Sequence, residues 1–233
     1  MPGLLEVLVL HEADAKRAEE GGADRLLVIG DLSGDGRSPE PRLVERIRAV
    51  SSLQVRPLVR LRDGYTTDGG EATRLIGLIG SYLEAGADGV AMGFLNGLGQ
   101  IDAEVIDALT QDGLWPWTFD SAIDHALDAD AAFDDVMHLP RVDQVMTAGS
   151  PRGMEAGLDY LVHRCRQDPI LAAMVLAGGD LTPEHVPWLA RSGVRAFHVS
   201  EQVRPQGSWK AYVDVPLVRS WRLLIDETLR RLD

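Results

Sequence analysis

The sequence is poor in two residue types, with Cys165 as its only cysteine and Lys16 and Lys210 as its only lysines. A single thiol excludes an intrachain disulfide and any metal site built from several thiolates. The net charge of −13 argues against nucleic acid and anionic membranes as partners. The chain also lacks an apolar run near the roughly 18 residues of a membrane span, and it lacks the basic N-terminal region of a signal peptide. We therefore expect a cytoplasmic protein.

The chain does contain a regular alternation of short apolar runs and helical patterns along its 233 residues. The apolar runs predict eight strands, each followed by a helix, at the spacing that a parallel crossover requires. Eight such units predict an α/β fold, a single (β/α)8 TIM barrel with a parallel eight-stranded sheet. We expect one domain over residues 1–233, with a post-barrel loop and a C-terminal helix in 201–233. The strands are predicted at 4–10, 25–29, 55–61, 90–94, 115–120, 142–147, 172–177 and 195–200, and the helix after the fifth strand at 124–137.

A short internal repeat marks two of the predicted helix-to-strand joins. Residues 20–26 and 84–90 each contain a helix end, then Gly-Ala-Asp, then the start of a strand. Duplicated pieces of a barrel would produce this similarity, but Gly-Ala-Asp is also common in loops that lead from a helix to a strand. Both interpretations place the join at the same residues.

The fifth predicted strand is a short buried strand that ends abruptly in a carboxylate, a hydroxyl and then a second carboxylate. After the apolar residues from Trp115 to Phe119 come Asp120, Ser121 and, at the start of a helix, Asp124. Ligand sites of α/β proteins lie at the C-terminal ends of their strands. We therefore take Asp120 as the centre of the candidate site.

Strand parity brings four ionisable side chains into one cavity, since alternate residues of a strand point to opposite faces. Glu6, Arg60, Asp120 and His198 are all in phase with the barrel interior. Isolated charges are costly inside a protein, so their convergence implies mutual pairing or a ligand. One interpretation is a structural network in which Arg60 neutralises Glu6 or Asp120 and His198 bonds to a neighbour. The other is a catalytic site formed by Glu6, Asp120 and His198.

A second group of residues at the same strand ends suggests how a ligand is held. Backbone N–H groups after the seventh and eighth strands bind a phosphate or carboxylate in many barrels, and two arginines of the third strand would add a bidentate clamp. Two consecutive glycines after a strand are also an ordinary turn. We expect a small anionic ligand. The candidate binding residues are Arg60, Arg62, Thr147, Gly178, Gly179 and Ser200.

Eight short motifs in a fixed order carry a family resemblance from about residue 4 to residue 200. They are Leu5-Glu6, Gly22-Ala23-Asp24-Arg25, residues 34–39, Arg60-Leu61-Arg62, Thr118-Phe119 with Ala122 and Asp124, Thr147-Ala148-Gly149, Ala177-Gly178-Gly179 and His198-Val199-Ser200. This ordered set resembles the CutC family, the copper homeostasis proteins. The resemblance implies a β/α barrel, a part in copper homeostasis and a homo-oligomer.

The chain departs from the family pattern at the positions most relevant to copper. The pattern has His-Arg after Thr-Phe, where this chain has Asp120-Ser121. It also has cysteines and a second-strand glutamate at positions occupied here by apolar residues. Copper(I) prefers soft thiolate and thioether ligands, so we predict no metal ligands and no tight copper(I) binding, and we leave the cofactor open. The apolar replacements are Leu8, Val9, Leu27 and Ile29.

Three functions remain open at this point. The first is a family-level role in copper homeostasis, with weak or indirect copper binding. The second is an enzyme acting on a small anionic or phosphorylated metabolite, with Asp120 or Glu6 as general base, His198 as proton donor or carbonyl polariser, and Arg60 helping to hold the anion. The third is a ligand-binding protein without catalysis. No lysine lies near a strand end, which argues against a Schiff-base mechanism.

Overall fold

A computed structural model describes residues 3–33, 36–111 and 113–232. The first two residues of the motif at 34–39 lie outside these ranges, as do the first two residues of the N-terminal region. Within the described ranges, no helix combines the length and apolarity that crossing a membrane requires. The strands are β1 (Leu4–Val9), β2 (Arg25–Val28), β3 (Gln54–Pro57), β4 (Val90–Met92), β5 (Trp117–Phe119), β6 (Val142–Thr147), β7 (Val175–Ala177) and β8 (Ala196–Val199).

The eight strands form one parallel sheet in the order β3-β2-β1-β8-β7-β6-β5-β4. Its two outer strands also meet, because Leu58, just after β3, forms a parallel bridge with Ala91 of β4. The N–H of Val59 adds a hydrogen bond of 2.8 Å to the Ala91 carbonyl. The sheet is therefore nearly closed into a barrel, and the predicted (β/α)8 TIM fold is confirmed.

Helices surround the barrel and connect its strands. The strand bounds agree with the prediction to within two residues, except that β3 ends four residues earlier and β7 begins three residues later than predicted. The error at β7 and a second one in the helix after β5 both involve aspartates that cap helices. Residues 172–174 belong to a helix because Asp168 accepts hydrogen bonds from the N–H groups of Ile170 and Leu171. The helix predicted at 124–137 is interrupted, and its second part begins after Asp128, whose side chain caps it. Among the described residues the α-helices are α1 (Glu12–Gly21), α2 (Pro41–Arg48), α3 (Gly69–Glu84), α4 (Ala103–Thr110), α5 (Ala129–Met137), α6 (Met154–Gln167), α7 (Pro169–Met174), α8 (Val186–Arg191) and α9 (Val215–Arg230), and 3-10 turns cover Ser121–His125, Glu201–Val203 and Pro205–Gly207.

The repeated Gly-Ala-Asp sequence forms the same structure in both copies. Gly22 and Gly86 end their helices with φ of 96° and 93°, a left-handed conformation that glycine adopts without steric cost. The aspartate two residues later accepts a hydrogen bond from the preceding strand, at 2.7 Å from the N–H of Leu5 and 2.9 Å from that of Val55. The repeat therefore ties each helix end to the strand before it.

Residues after β8 are fixed to the barrel by a buried ion pair. The guanidinium of Arg204 contacts the carboxylate of Asp14 at 2.9 Å, and both side chains are almost fully buried. Arg204 also donates to the Ala211 carbonyl at 2.7 Å, and Asp14 accepts from the N–H of Val213 at 2.9 Å. The Arg204 guanidinium lies 4.9 Å from the ring centre of Trp209. These contacts place Trp209 at the C-terminal mouth of the barrel.

Candidate active site

A cavity of about 450 Å³ opens at the C-terminal ends of the strands. This volume lies in the range of roughly 300–1,000 Å³ that small-molecule sites occupy. We call it the main chamber. Its carboxyl and imidazole side chains are those of Asp124 and His125 after β5, Asp180 after β7, His198 on β8 and Glu201 after β8, and Tyr65 and Trp209 also line it.

His198 is held in the main chamber by a buried carboxylate. Glu6 and His198 are paired across β1 and β8, and Nδ1 of His198 lies 2.8 Å from Oε1 of Glu6. Burial raises the pKa of Glu6, but the charge of Arg25 and the hydrogen bond with His198 outweigh it and lower the pKa to about 2. Because an ionised carboxylate only accepts hydrogen bonds, Nδ1 carries the hydrogen in this pair. In the neutral ring, Nε2 is then the acceptor.

Asp124 is a carboxyl group whose environment favours titration near neutral pH. It accepts hydrogen bonds from Thr147 Oγ1 at 2.5 Å, the N–H of Ala148 at 2.8 Å and the N–H of Gly149 at 3.1 Å. Burial raises its pKa, these three donors lower it, and the charge of Asp120 raises it, with a result of about 6. Sequence reasoning did not select Asp124, although the residue closes the stretch that provided Asp120.

Asp120 lies beside the main chamber and forms a buried ion pair with Arg60. Its other oxygen accepts from the N–H of Ala122 at 2.9 Å, which begins the 3-10 turn after β5. The Arg60 guanidinium lies 4.5 Å from the ring centre of Tyr65. Asp120 and Arg60 line a smaller hollow of about 140 Å³. The four ionisable groups expected to converge are thus divided between two pairs, Arg60 with Asp120 and Glu6 with His198.

The expected arginine clamp is not formed. Arg62 is 44% exposed and is bound to Asp68 at 2.7 Å and to Glu71 at 2.5 Å. These two carboxylates belong to the start of α3 and its cap, so they hold Arg62 away from the barrel mouth. Arg60 points inward as predicted, but the two guanidinium groups do not face one ligand.

The remaining predicted binding residues all line the main chamber. The N–H of Gly178 donates to the Thr147 carbonyl at 3.0 Å, so this donor is already used within the sheet. The hydroxyl of Ser200 donates to Glu201 at 2.5 Å. Gly178 has a steric role as well, since a Cβ at this position would lie 3.0 Å from Cβ of His198.

Sequence reasoning also missed a charged layer below the chamber. Arg25 is bonded to Glu6 at 2.5 Å and also donates to Gln144. Arg56 donates to Thr118 at 2.5 Å and pairs with Asp143. The sequence could have predicted this layer, because Arg25 and Arg56 alternate in phase with the inward-facing residues of β2 and β3. This layer supports Glu6 and thereby His198.

The charge of the main chamber opposes the anionic ligand that we expected. Its lining includes the carboxyl groups of Asp124, Asp180 and Glu201 together with two histidines. No arginine or lysine contributes to that lining in the part of the chain that the structure describes. An anion bound here would therefore meet the carboxyl groups of the lining, and the Arg60 guanidinium beside the chamber is already paired with Asp120.

The donor groups suited to copper(I) are not assembled at the mouth. Across residues 3–33, 36–111 and 113–232, no group of three or more His, Cys, Asp or Glu side chains is arranged to hold a metal ion. Cys165 lies on α6 and is buried. Burial raises the pKa of its thiol to about 12, so the thiolate that a metal requires is disfavoured.

The fold defines a TIM-barrel protein, with a chamber of small-molecule size at its C-terminal mouth. The chain belongs to the CutC family, whose sequence profile matches residues 4–203. A CutC family protein of Klebsiella pneumoniae (strain 342) is 28% identical over 205 residues, which cover 84% of this chain and 79% of that protein. The human "Copper homeostasis protein cutC homolog" is 30% identical over 203 residues, covering 84% of this chain and 72% of that protein.

Solved structures support the same architecture. The CutC protein of Streptococcus agalactiae superposes with a TM-score of 0.74 at 20% identity, covering 84% of this chain and 97% of that chain. A thiamine phosphate pyrophosphorylase from Pyrococcus furiosus superposes with a TM-score of 0.59 at 16% identity, covering 97% of this chain and 96% of that chain. At these identities the likeness concerns the fold alone. The family match ends at Val203, so the segment with Arg204 and Trp209 lies beyond it.

Proposed function

We propose that this CutC family protein is an enzyme that performs general acid–base chemistry on a small metabolite in the main chamber. The observation that carries the proposal is that His198 and Asp124 line one chamber but have different surroundings. An ionised carboxylate orients His198, whereas burial raises the pKa of Asp124 to about 6. Two titratable groups with environments of this kind are the usual basis for assigning an acid and a base.

The two groups have complementary roles in this proposal. Nε2 of His198 accepts a proton from the bound metabolite, and the negative charge of Glu6 stabilises the imidazolium that forms. The protonated carboxyl of Asp124 donates a proton to a second atom of the metabolite. The donors from Thr147, Ala148 and Gly149 then stabilise the carboxylate that remains. Afterwards His198 loses its proton to water and Asp124 regains one, so the protein returns to its starting state.

The same proposal assigns this chain an indirect connection with copper. Some relatives carry the name copper homeostasis protein, but the donor set here does not fit copper(I). Leu8, Val9 and Ile29 are apolar, and the single thiol of Cys165 is buried within α6. Anaerobic titration with copper(I) against a chromophoric competitor should give no stoichiometric capture. Capture of one copper(I) ion per chain would overturn this part of the proposal.

Deuterium incorporation tests the acid–base chemistry while the substrate is still unidentified. A defined library of polar metabolites is incubated with the protein in D₂O and followed by mass spectrometry. Transfer of a proton to or from carbon leaves deuterium in the compound, even where the reaction is an isomerisation. We expect the wild type to label at least one compound. Failure to label or convert any compound would contradict the proposal.

Matched variants assign the labelling to the site. Asp124→Asn and His198→Asn should each abolish it, because each removes one of the two proton-transfer groups. Asp107→Asn on α4 and His163→Asn on α6 make the same chemical changes at exposed positions outside the chamber. Both controls should retain the wild-type rate. Labelling that survives in Asp124→Asn and His198→Asn would show that the chemistry lies elsewhere.

A further inference from the structure

The charge of the main chamber determines which ligands it attracts. Asp124, Asp180 and Glu201 contribute three carboxyl groups, and within the described ranges no arginine or lysine side chain lines the chamber. Asp180 is exposed, and no hydrogen bond or ion pair involves its carboxylate among the described residues. A concave surface with charges of one sign raises the local concentration of ions of the opposite sign. The lining therefore favours a cation.

An independent observation at the same wall indicates that the ligand donates a hydrogen bond. His198 is only 5% exposed, and its Nδ1 is used by Glu6. Its Nε2 accepts no hydrogen bond from a described residue, and the ring lines the chamber. This nitrogen is therefore open to the chamber and can accept a hydrogen bond from a ligand there. An ammonium group is both a donor and a cation.

A second cavity shows where the rest of such a ligand would lie. A hollow of about 320 Å³ adjoins the main chamber and shares Asp124, His125, Ser150 and Pro151 with it. We call this hollow the apolar chamber, because hydrocarbon and aromatic groups form most of the remaining wall. Asp124 lies on the wall of both spaces, so a ligand bound at this residue has the apolar chamber next to it. The residues that line only the apolar chamber include Ile123, Ala126, Leu127, Ala129, Phe133 and Tyr160.

We propose that the ligand is an organic amine, with its ammonium group between Asp124 and Nε2 of His198 and its hydrocarbon or aromatic part in the apolar chamber. The proposal rests on the proposed function for its site and deepens it by naming the ligand class. The ammonium group binds the ionised form of Asp124, and the acid step uses the form of this carboxyl that has taken up a proton. Trp209, which also lines the main chamber, is compatible with this ligand, because an indole ring packs against methylene groups and attracts an ammonium ion to its face.

Three probes of similar size and different charge test this class. The probes are 2-phenylethylamine, 2-phenylethanol and 3-phenylpropanoate, each measured by isothermal titration calorimetry at pH 8. The amine should bind at least about tenfold more tightly than the alcohol, which corresponds to about 1.4 kcal/mol. The carboxylate should show no binding. Equal or tighter binding of the carboxylate, or no binding of the amine, would overturn the proposal.

Variants of the two chambers assign the contacts. Asp124→Asn and Asp180→Asn should each weaken amine binding, the first by about tenfold. Asp180 is an exposed residue, so its variant keeps the test informative if Asp124→Asn fails to fold. Ala126→Phe should fill the apolar chamber and weaken 2-phenylethylamine by about tenfold, as expected for loss of a buried ring. Asp107→Asn is the control, and unchanged amine affinity in all three chamber variants would contradict the assignment.

The two proposals fail in different ways. Amine binding that depends on Asp124, without deuterium labelling of any library compound, would refute the acid–base function and leave the ligand class standing. Labelling that requires Asp124 and His198 but occurs only in anionic compounds would refute the ligand class and leave the acid–base function standing. Labelling of amines that is lost in both variants would support both proposals.

Discussion

The hydroxyl of Thr147 should control the pH at which Asp124 titrates. Thr147 is 1% exposed and donates to Asp124 Oδ1 at 2.5 Å, and this bond lowers the pKa of a carboxyl that burial has raised to about 6. Thr147→Val removes the donor with little change in volume. The N–H groups of Ala148 and Gly149 remain bonded to the carboxylate. We therefore expect the pKa of Asp124 to rise further.

The size of this rise follows from the strength of a hydrogen bond to a charged group. Such a bond contributes about 1.5–3 kcal/mol, and about 1.36 kcal/mol corresponds to one pH unit. Asp124 should therefore titrate about one to two pH units higher in Thr147→Val. The pKa of Asp124 already lies above its ordinary 3.8, so its contribution to stability is full below pH 3.8 and is lost as pH rises through about 6. The substitution should move this loss to higher pH.

Carbon-13 NMR of labelled aspartate carboxyl groups measures the titration directly. Thr110→Val is a matched control, because Thr110 is also buried and its hydroxyl donates to the Ile106 carbonyl on α4, without a bond to Asp124. The control should leave the Asp124 titration unchanged. An unchanged or lower pKa in Thr147→Val would refute the assignment of this hydroxyl as a donor that stabilises the ionised carboxyl.

Three further substitutions test the supports of the site. Glu6→Gln should lower the free energy of unfolding by about 3 kcal/mol at pH 7, because a pKa lowered from 4.5 to about 2 stabilises the fold above pH 4.5. The difference in unfolding free energy between the variant and the wild type should shrink as pH falls through about 2. Urea titrations at pH 7 and at low pH measure it, and a difference that does not change with pH would contradict the prediction. Arg204→Met should lower the free energy of unfolding by about 3 kcal/mol, because it leaves the buried carboxylate of Asp14 without its partner. This value is at the lower end of the range for such pairs, since Asp14 keeps two backbone N–H donors. A urea midpoint equal to that of the wild type would contradict this prediction. Gly178→Ala should displace His198, as its Cβ would lie 3.0 Å from that of His198, and an unaltered nitrogen-15 histidine spectrum would exclude the contact.

Most of the fold was predictable because it depends on local patterns. Strand positions follow from short apolar runs, and β6 was predicted with both ends correct at Val142 and Thr147. Two of the larger errors, at β7 and α5, arose where an aspartate side chain accepts hydrogen bonds from the N–H groups of the next few residues and so begins a helix. The cap formed by Asp168, with Pro169 in the first helical turn, converts residues that look like a strand into α7. Apolar composition alone does not distinguish a short buried helix from a buried strand.

The members of the candidate site were predictable only in part, and its arrangement less so. Alternation along β1 and β8 correctly predicted that Glu6 and His198 point inward, and the structure shows that they form a hydrogen-bonded pair. The expected centre at Asp120 instead pairs with Arg60 in a smaller hollow. Asp124 lies four residues later, and its contacts with Thr147 and the residues after β6 bring it into the main chamber. The alternation of residues along a strand predicts which face a side chain points to, but it does not predict which side chain across the barrel it will contact.

The sequence by itself determined the family, the eight-stranded barrel and the set of side chains that face its interior. These depend on motif order and on residue periodicity, which are properties of neighbouring positions. The tertiary structure alone decided which charges neutralise each other, which sign of charge the chamber keeps, and how Trp209 reaches the mouth. Asp14 and Arg204 form a buried pair although 190 residues separate them in the chain. Electrostatic interactions depend on distance in space and on burial, and neither can be read from spacing along the sequence.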